Sequence, residues 1–395
     1  MATTTNRVEV RNRGCALLIG IGLALMPIHN KWLTALVTSD GEVGFFIPAF
    51  GTAIWLMGAL MFAVWNWEQL RKVGLGDKRI WIPLTVIVAA IAISGAVTGS
   101  SIQDKVSPLF MGVSMFALYA VARVLGKDMF LPLAIGAAVA SLSVIAYQLL
   151  HPGIRSGGYL FELNYDIVVG YVLLGAALYF HKRQWLLAGL AIIAMFASGS
   201  PEAVFCVGIL AITVLLRKDW SKKLLIIIVS LVILASVYIG IGHGKTLYSY
   251  AVNIAQNNQV STFISKDRFD AEDIASGNDT VLGIRIKLIK DSLTDLQSFG
   301  EGYYVTAFKR NTVHNVPMII VQQLGYPGMI AGLAWLWVTI YCLVKTRWKY
   351  VFVLILALSV FDHFVWTQIG SWWWAIVGAS TVTAIKSDYI FKVVK

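Results

Sequence analysis

One histidine late in the chain precedes a group of residues that break helices. His314 is followed by Asn315, and Gly325, Pro327 and Gly328 come eleven to fourteen positions after the histidine. An imidazole changes charge near neutral pH and can act as a general base. The glycines and the proline predict a helix break at which a backbone or a substrate can approach closely. The spacing also fits an interfacial histidine beside a kinked helix, so both interpretations stay open.

Binding of an anionic ligand would explain the positions of two arginines. Arg155 lies in the Gly-rich segment 151–158, which holds no other Lys or Arg, and Arg285 lies in a predicted amphipathic helix. A guanidinium group can hold a phosphate or pyrophosphate through paired hydrogen bonds. Snorkelling to lipid headgroups explains Arg155 equally well, and a solvated position on a surface helix explains Arg285.

Asp362 and His363 form an ionisable pair inside an apolar run. Such groups are costly in lipid and usually face a bundle interior or a cavity, so either a functional role or structural pairing with neighbouring helices is expected. Trp366 and the Trp372–Trp374 run predict an interfacial aromatic belt. The acidic residues at 267–273 lie in a polar stretch with no fixed geometry. We therefore predict neither a metal nor another cofactor.

These residues are embedded in a chain whose composition suits a bilayer. Of its 395 residues, 58% are hydrophobic and 13% are charged, and the mean hydropathy is +0.73. A soluble domain has about 45–50% apolar and about 25% charged residues, so the excess apolar surface must face lipid. The net charge of +11 does not predict nucleic-acid binding, because the Lys and Arg residues fall in short clusters between apolar runs.

The apolar runs predict an all-α polytopic membrane protein with about twelve transmembrane helices. A bilayer core of about 30 Å needs roughly 20 apolar residues in a helix. The predicted spans are 14–30, 44–66, 80–98, 107–123, 129–150, 165–181, 184–200, 202–216, 224–242, 318–344, 350–367 and 371–385. We expect residues 1–395 to form one membrane domain, with a hydrophilic loop at 243–315 between spans nine and ten.

The distribution of Lys and Arg predicts which loops are external. With a cytoplasmic N-terminus, the short external loops hold only Lys31, Lys105 and Arg155, while the cytoplasmic segments are basic. Cytoplasmic loops carry the excess of positive charge, whereas long loops are translocated largely regardless of charge. Both termini are therefore predicted to be cytoplasmic and the 243–315 loop external. Apolar residues recur at spacings of four and three across 282–296, which predicts an amphipathic helix within that loop.

Read together, these segments resemble the O-antigen ligase and polymerase superfamily of bacterial cell-surface polysaccharide assembly. His314-Asn315, followed by Gly325 and Gly328, is similar to the family's histidine motif in spacing and in position. That position is the end of a long periplasmic loop, late in a membrane protein of about this length. The resemblance covers roughly residues 150–365.

Three further segments are similar to the same family. Leu282-Gly283-Ile284-Arg285 is similar to the Arg-containing start of its periplasmic helix, and Gly300-Glu301-Gly302-Tyr303 is similar to the glycine-rich step that follows. Arg155-Ser156-Gly157-Gly158-Tyr159-Leu160-Phe161, leading to Asn164, resembles another family segment.

The resemblance implies a metal-independent, inverting glycosyltransferase of the bacterial inner membrane, with its site on the periplasmic face. The donor would be a glycan on undecaprenyl pyrophosphate, with His314 as the base and Arg285 binding the pyrophosphate. The acceptor is lipid A–core in a ligase and another lipid-linked glycan in a polymerase. The His–Gly–Gly spacing resembles the ligase pattern, so the resemblance favours the ligase over the polymerase. The expected supporting residues are Asn315, Gly325, Gly328, Asp362 and His363.

A lipid-glycan transporter is the candidate from another class. A flippase is expected to line a central cavity with charge inside many spans. The middle of the predicted spans holds almost no charge, and the polar residues are concentrated in one external loop. Glycosyl transfer is therefore favoured.

One position departs from the family pattern. Family members commonly carry an arginine after a serine at the outer end of a mid-chain span, where this sequence has Pro201 and Glu202. Three explanations are open: Arg155 or Arg310 supplies the missing cation to the pyrophosphate, Glu202 is paired and structural, or the chain is a weakened relative.

Overall fold

All regular elements in the described part of the computed structural model are helical. The structure describes residues 2–28, 46–73, 75–152, 157–160, 170, 174–175, 185–199, 206–211, 296–302, 315–367 and 369–381. Numbered in chain order, the helices are α1 (Ala2–Leu25), α2 (Phe46–Trp65), α3 (Trp67–Val73), α4 (Lys78–Thr98), α5 (Ile102–Leu125), α6 (Phe130–Leu150), α7 (Trp185–Ala197), α8 (Val316–Leu324), α9 (Tyr326–Lys345), α10 (Lys349–Phe361) and α11 (Gly370–Ser380). A 3₁₀ turn, Gly126–Met129, joins α5 to α6.

Four of these helices, α4, α5, α6 and α9, are long and apolar enough to cross a membrane. Together α2 and α3 would supply a fifth span, although their axes meet at 87°. The chain is therefore a multi-pass helical membrane protein, as its composition predicts. The runs at 165–181 and 224–242 lie mostly or wholly outside the described residues, so the total of twelve spans stays a prediction.

Asn66 fixes the sharp bend between α2 and α3. Its amide nitrogen Nδ2 donates to Asn12 Oδ1 of α1 at 2.9 Å and also lies 3.3 Å from the carbonyl oxygen of Phe62. The exposed indoles of Trp65 and Trp67 flank the bend, as expected at a membrane–water interface. We infer that α2 ends at the interface and that α3 runs along it.

The predicted span at 318–344 is broken at Gly325, as the sequence predicts, but the interpretation of that break as a kink in one spanning helix is wrong. Gly325 separates α8 from α9, and α8 folds back beside the first turns of α9. A Cβ atom at Gly328 would collide with the Ile320 carbonyl oxygen, and one at Gly332 would lie 3.3 Å from the Pro317 carbonyl oxygen. Glycines four residues apart let two helices approach closely. The pair therefore forms a tight helical hairpin rather than a kinked span.

The predicted interfacial belt at Trp366 and Trp372–Trp374 is also wrong, because all four side chains are at most 2% exposed. Two of these indole N–H groups donate within the protein, Trp372 to the Leu23 carbonyl oxygen at 2.8 Å and Trp373 to Thr339 Oγ1 at 3.0 Å. Both α10 and α11 are short, and the non-helical segment between them is buried. Irregular backbone at membrane depth is tolerated where protein covers it.

Nearly all the basic side chains that the structure describes lie at one end of the bundle, which we call the basic end. They are Arg11, Arg13, Arg71, Lys72, Lys78, Arg79, Arg123, Lys345, Arg347 and Lys349. Contacts tie this end together, since Trp337 donates to the Arg79 carbonyl oxygen at 3.0 Å and Tyr341 donates to Asp77 at 2.6 Å. The Tyr341 hydroxyl and the Arg79 amide hold the pKa of Asp77 below its ordinary value. Among the described side chains, Lys105 is the one Lys or Arg at the opposite end.

Candidate functional site

The end of the long loop docks onto the turn between α8 and α9, at the end of the bundle opposite the basic end. The Glu301 and Gly302 amides donate to the carbonyl oxygens of Gln322 and Gln323 at 3.1 and 3.0 Å. In return, the Tyr326 amide donates to the Ser298 carbonyl oxygen at 3.0 Å. These backbone hydrogen bonds fix the 296–302 segment to the hairpin.

Gly300 and Gly325 make this docking possible. Both have a positive φ, 76° and 67°, which favours glycine. A Cβ atom at Gly325 would collide with the Gly300 nitrogen, and one at Gly300 would collide with the Gln323 carbonyl oxygen. The predicted break at Gly325 is confirmed, and the group that approaches it closely is the chain's own backbone. The sequence allowed either a backbone or a substrate at this place.

A buried polar cluster lies directly beneath the docked loop. Ser94 Oγ of α4 donates to the Phe299 carbonyl oxygen at 2.7 Å and lies 3.3 Å from the Gln323 carbonyl oxygen. The Trp366 indole donates to Gln323 Oε1 at 2.8 Å. Because Ser94, Gln323 and Trp366 are each at most 2% exposed, these hydrogen bonds are shielded from solvent. Loop, hairpin, α4 and the α10–α11 segment therefore meet at one point.

Sequence reasoning missed Ser94 and Gln323. Each is an uncharged polar residue in a mostly apolar helix, and neither belongs to a recognisable motif. The sequence offered only a general indication, which is that a polar residue inside a predicted span usually faces the protein interior. That indication does not reveal which partner such a residue contacts.

Asn315 connects the start of α8 to the end of α10. Its Oδ1 accepts a hydrogen bond from the Met318 amide at 3.2 Å and so caps the helix, while its Nδ2 lies 3.4 Å from the Val360 carbonyl oxygen. Since Pro317 packs beside Gly332, six residues into α9, the start of α8 lies about 9 Å below the hairpin turn. The residue that follows His314, which is partly exposed, is thus held against the end of α10.

Asp362 and His363 are buried next to this connection. The Asp362 carboxylate accepts a hydrogen bond from the His363 amide at 2.7 Å, and His363 Nδ1 lies 3.0 Å from Thr367 Oγ1. The two side chains are 4% and 7% exposed. These contacts lie within the α10–α11 segment and help to shape its irregular backbone. Through Val360, the structure brings Asn315 close to this pair.

Several predicted site residues lie outside the described residues. They are His314, Arg285, Arg155, Arg310, Pro201 and Glu202. The amphipathic helix predicted within the 243–315 loop and the acidic stretch at 267–273 also lie outside them. Their roles stay predictions.

The Gly-rich segment that follows Arg155 packs against α6. The Tyr159 and Leu160 amides approach Ser143 Oγ at 2.8 and 3.2 Å, and Gly158, with a φ of 82°, lies against the backbone of Ser143 and Val144. Gly158 therefore allows a close approach of two parts of the same chain.

No group of three or more His, Cys, Asp or Glu side chains suited to a metal occurs among residues that the structure describes. No family model matches this sequence, and no curated protein matches it.

Proposed function

We propose that this protein is a glycosyltransferase that moves a glycan from undecaprenyl pyrophosphate onto lipid A–core, as an O-antigen ligase does. The observation that carries the proposal is the contact between Gly300–Gly302 and Gly325. Gly300–Gly302 and Gly325 belong to two segments through which the chain resembles the ligase and polymerase superfamily. Gly300 and Gly325 are 25 positions apart in sequence. Gly325 also ends the short helix that Asn315 caps. Contact between the matched segments supports their acting as one site.

In the proposed reaction, the acceptor hydroxyl attacks the anomeric carbon that bears the pyrophosphate, with inversion. A new C–O bond forms to the acceptor, the bond to the pyrophosphate oxygen breaks, and undecaprenyl pyrophosphate leaves with the electron pair. His314 accepts the hydroxyl proton, and Arg285 stabilises the charge on the leaving group. Because pyrophosphate is already a good leaving group, cationic side chains suffice and no metal is proposed.

We further propose that the protein lies in the bacterial inner membrane, with both termini cytoplasmic and the site on the periplasmic face. The basic end of the described bundle supports this orientation, because cytoplasmic loops carry the excess of Lys and Arg. The docked loop and Asn315 lie toward the opposite end. There they would meet donor and acceptor on the periplasmic side.

Cysteine labelling tests this orientation. We expect an impermeant maleimide to label Ser276→Cys in intact spheroplasts and to label Trp220→Cys only after lysis. Background should be low, because Cys15, Cys206 and Cys342 are all buried. Labelling of the Trp220 variant but not the Ser276 variant in intact spheroplasts would reverse the proposed topology.

Arg285→Lys tests the pyrophosphate contact. Lysine keeps the charge but loses the planar fork, so we expect glycan transfer to fall by about 10–100-fold, the equivalent of one charge-assisted hydrogen bond. Lys290→Ala, in the same predicted helix, is the matched control and should transfer normally. Transfer would be followed as the ladder of capped lipid A–core in cells. A fully active Lys variant would show that Arg285 does not grip pyrophosphate bidentately.

The surface polysaccharide profile of a deletion strain distinguishes the proposed activities. Loss of all glycan capping on lipid A–core is expected for a ligase. A core bearing a single repeat unit would instead identify a polymerase, which differs only in its acceptor. An unchanged profile would contradict both activities.

A further inference from the structure

A long apolar groove lies between α2 and α5, away from the docked loop. Its volume is about 630 Å³, within the range of about 300–1,000 Å³ typical of small-molecule sites. Exposed Leu60 of α2 and exposed Phe110 and Val113 of α5 form its walls. Arg71 of α3 is the one charged residue of the lining.

The shape of the groove follows from the bend at Asn66. Because α3 turns 87° away from α2, it crosses the end of the groove and closes it at the basic end with Leu70 and Arg71. The space between the two long helices stays open because several of the side chains that line it, such as Ala63 and Ala117, are small.

The length of the groove matches one leaflet of a bilayer. On α5 its lining extends from Phe110 to Val121, which is about 16 Å of helix at 1.5 Å per residue. Half of a hydrocarbon core is about 15 Å thick. An acyl chain that starts at the basic end would therefore lie along the groove and end near the bilayer midplane.

The charges at the mouth of the groove are complementary to a phosphate. Lys72 lies 3.9 Å from Glu68, so the acidic side chain of α3 already has a partner. Among the residues that the structure describes, Arg71 forms no ion pair. The exposed indole of Trp67 beside it marks the level of the headgroups.

We propose that this groove binds an anionic phospholipid from the leaflet at the basic end, with an acyl chain between α2 and α5 and the phosphate on Arg71. The guanidinium group of Arg71 can donate paired hydrogen bonds to the phosphate, and the apolar walls can pack against the acyl chain. The site is separate from the proposed glycosyl-transfer site and does not depend on it. A neutral phospholipid and a second copy of the chain are the competing occupants.

Photo-crosslinking of the full-length protein in lipid nanodiscs tests the proposal. One probe is phosphatidylglycerol with a diazirine on an acyl chain, and the other is phosphatidylcholine with the same chain; labelled peptides are mapped by mass spectrometry. We expect the phosphatidylglycerol probe to label the 55–63 and 110–121 segments about fivefold more strongly, the preference expected from one cation near the surface. Arg71→Ala should remove the preference, and Lys72→Ala, one residue away, should retain it.

A second pair of variants tests the groove itself. Ala117→Trp should abolish labelling by both probes, whereas Val139→Trp, on the exposed surface of α6, should leave it unchanged. Equal labelling of the wild type by the two probes would overturn the proposal in favour of headgroup-independent lipid. Absence of lipid labelling, with crosslinks between copies through Leu60→Cys, would overturn it in favour of a dimer interface.

Discussion

Replacing His314 by alanine is expected to lower glycan transfer by about 10²–10⁴-fold, the usual contribution of general acid–base assistance. The physical reason is that the acceptor hydroxyl would lose the group that takes its proton as it attacks. Asn315, the next residue, keeps its cap on α8 and its contact with Val360 in this variant. Protein abundance in the membrane should therefore be unchanged. The measurement is the fraction of lipid A–core capped in cells that express equal amounts of each variant.

His151→Ala is the matched control for this experiment. His151 lies at the end of α6 opposite the basic end, where the residue is exposed and its ring centroid lies 4.7 Å from that of Tyr147. We assign it no part in the reaction, so its loss should leave transfer near the wild-type level. Transfer near the wild-type level in the His314 variant would refute the assignment of His314 as the base. Equal losses in the two variants would indicate a general requirement for histidine at this face.

Replacing Gly325 by alanine is expected to destabilise the protein by about 1–3 kcal/mol and to reduce transfer with it. Its φ of 67° and ψ of −139° are strained for any other residue, and the added methyl group would collide with the docked Gly300. The Ser298–Tyr326 and Gly302–Gln323 hydrogen bonds could not all survive the displacement. The midpoint of thermal unfolding, followed by size-exclusion chromatography of the purified chain in detergent, measures the loss.

Gly189→Ala is the matched control for Gly325. Gly189 lies inside α7, and a Cβ atom there would have no other atom within 4 Å. Alanine is also the better helix former, so this variant should be at least as stable as the wild type. If Gly325→Ala unfolds at the same midpoint as the wild type, the loop does not depend on this close approach.

The His314 and Gly325 variants separate chemistry from positioning. His314→Ala should lose transfer at full stability, because the predicted base acts on the acceptor alone. Gly325→Ala should lose stability and transfer together, because the hairpin turn holds Gly300–Gly302 and, through Gln323, the Trp366 indole. A Gly325 variant that is stable but inactive would place that residue in direct contact with substrate.

Sequence by itself determined the class of this protein and the positions of several of its boundaries. The excess of apolar residues required a membrane, and the predicted runs at 80–98, 107–123 and 129–150 correspond to α4, α5 and α6. The break near Gly325 was also predictable, because a glycine and a nearby proline act on the local backbone. These features depend on residues close together in the chain, so a local pattern is enough to reveal them.

Tertiary structure alone decided what those elements contact. Hydropathy could not distinguish the buried Trp372–Trp374 run from a lipid-facing belt, because the interior of a membrane protein and the lipid around it are both apolar. Nor could it show that α8 folds back along α9, since a kinked span and a hairpin have the same apolar residues. The docking of Gly300 on Gly325 and the bond from Ser94 to Phe299 join segments that are distant in sequence. Such contacts are set by the packing of whole helices, because no local spacing encodes the partner of a single glycine or serine.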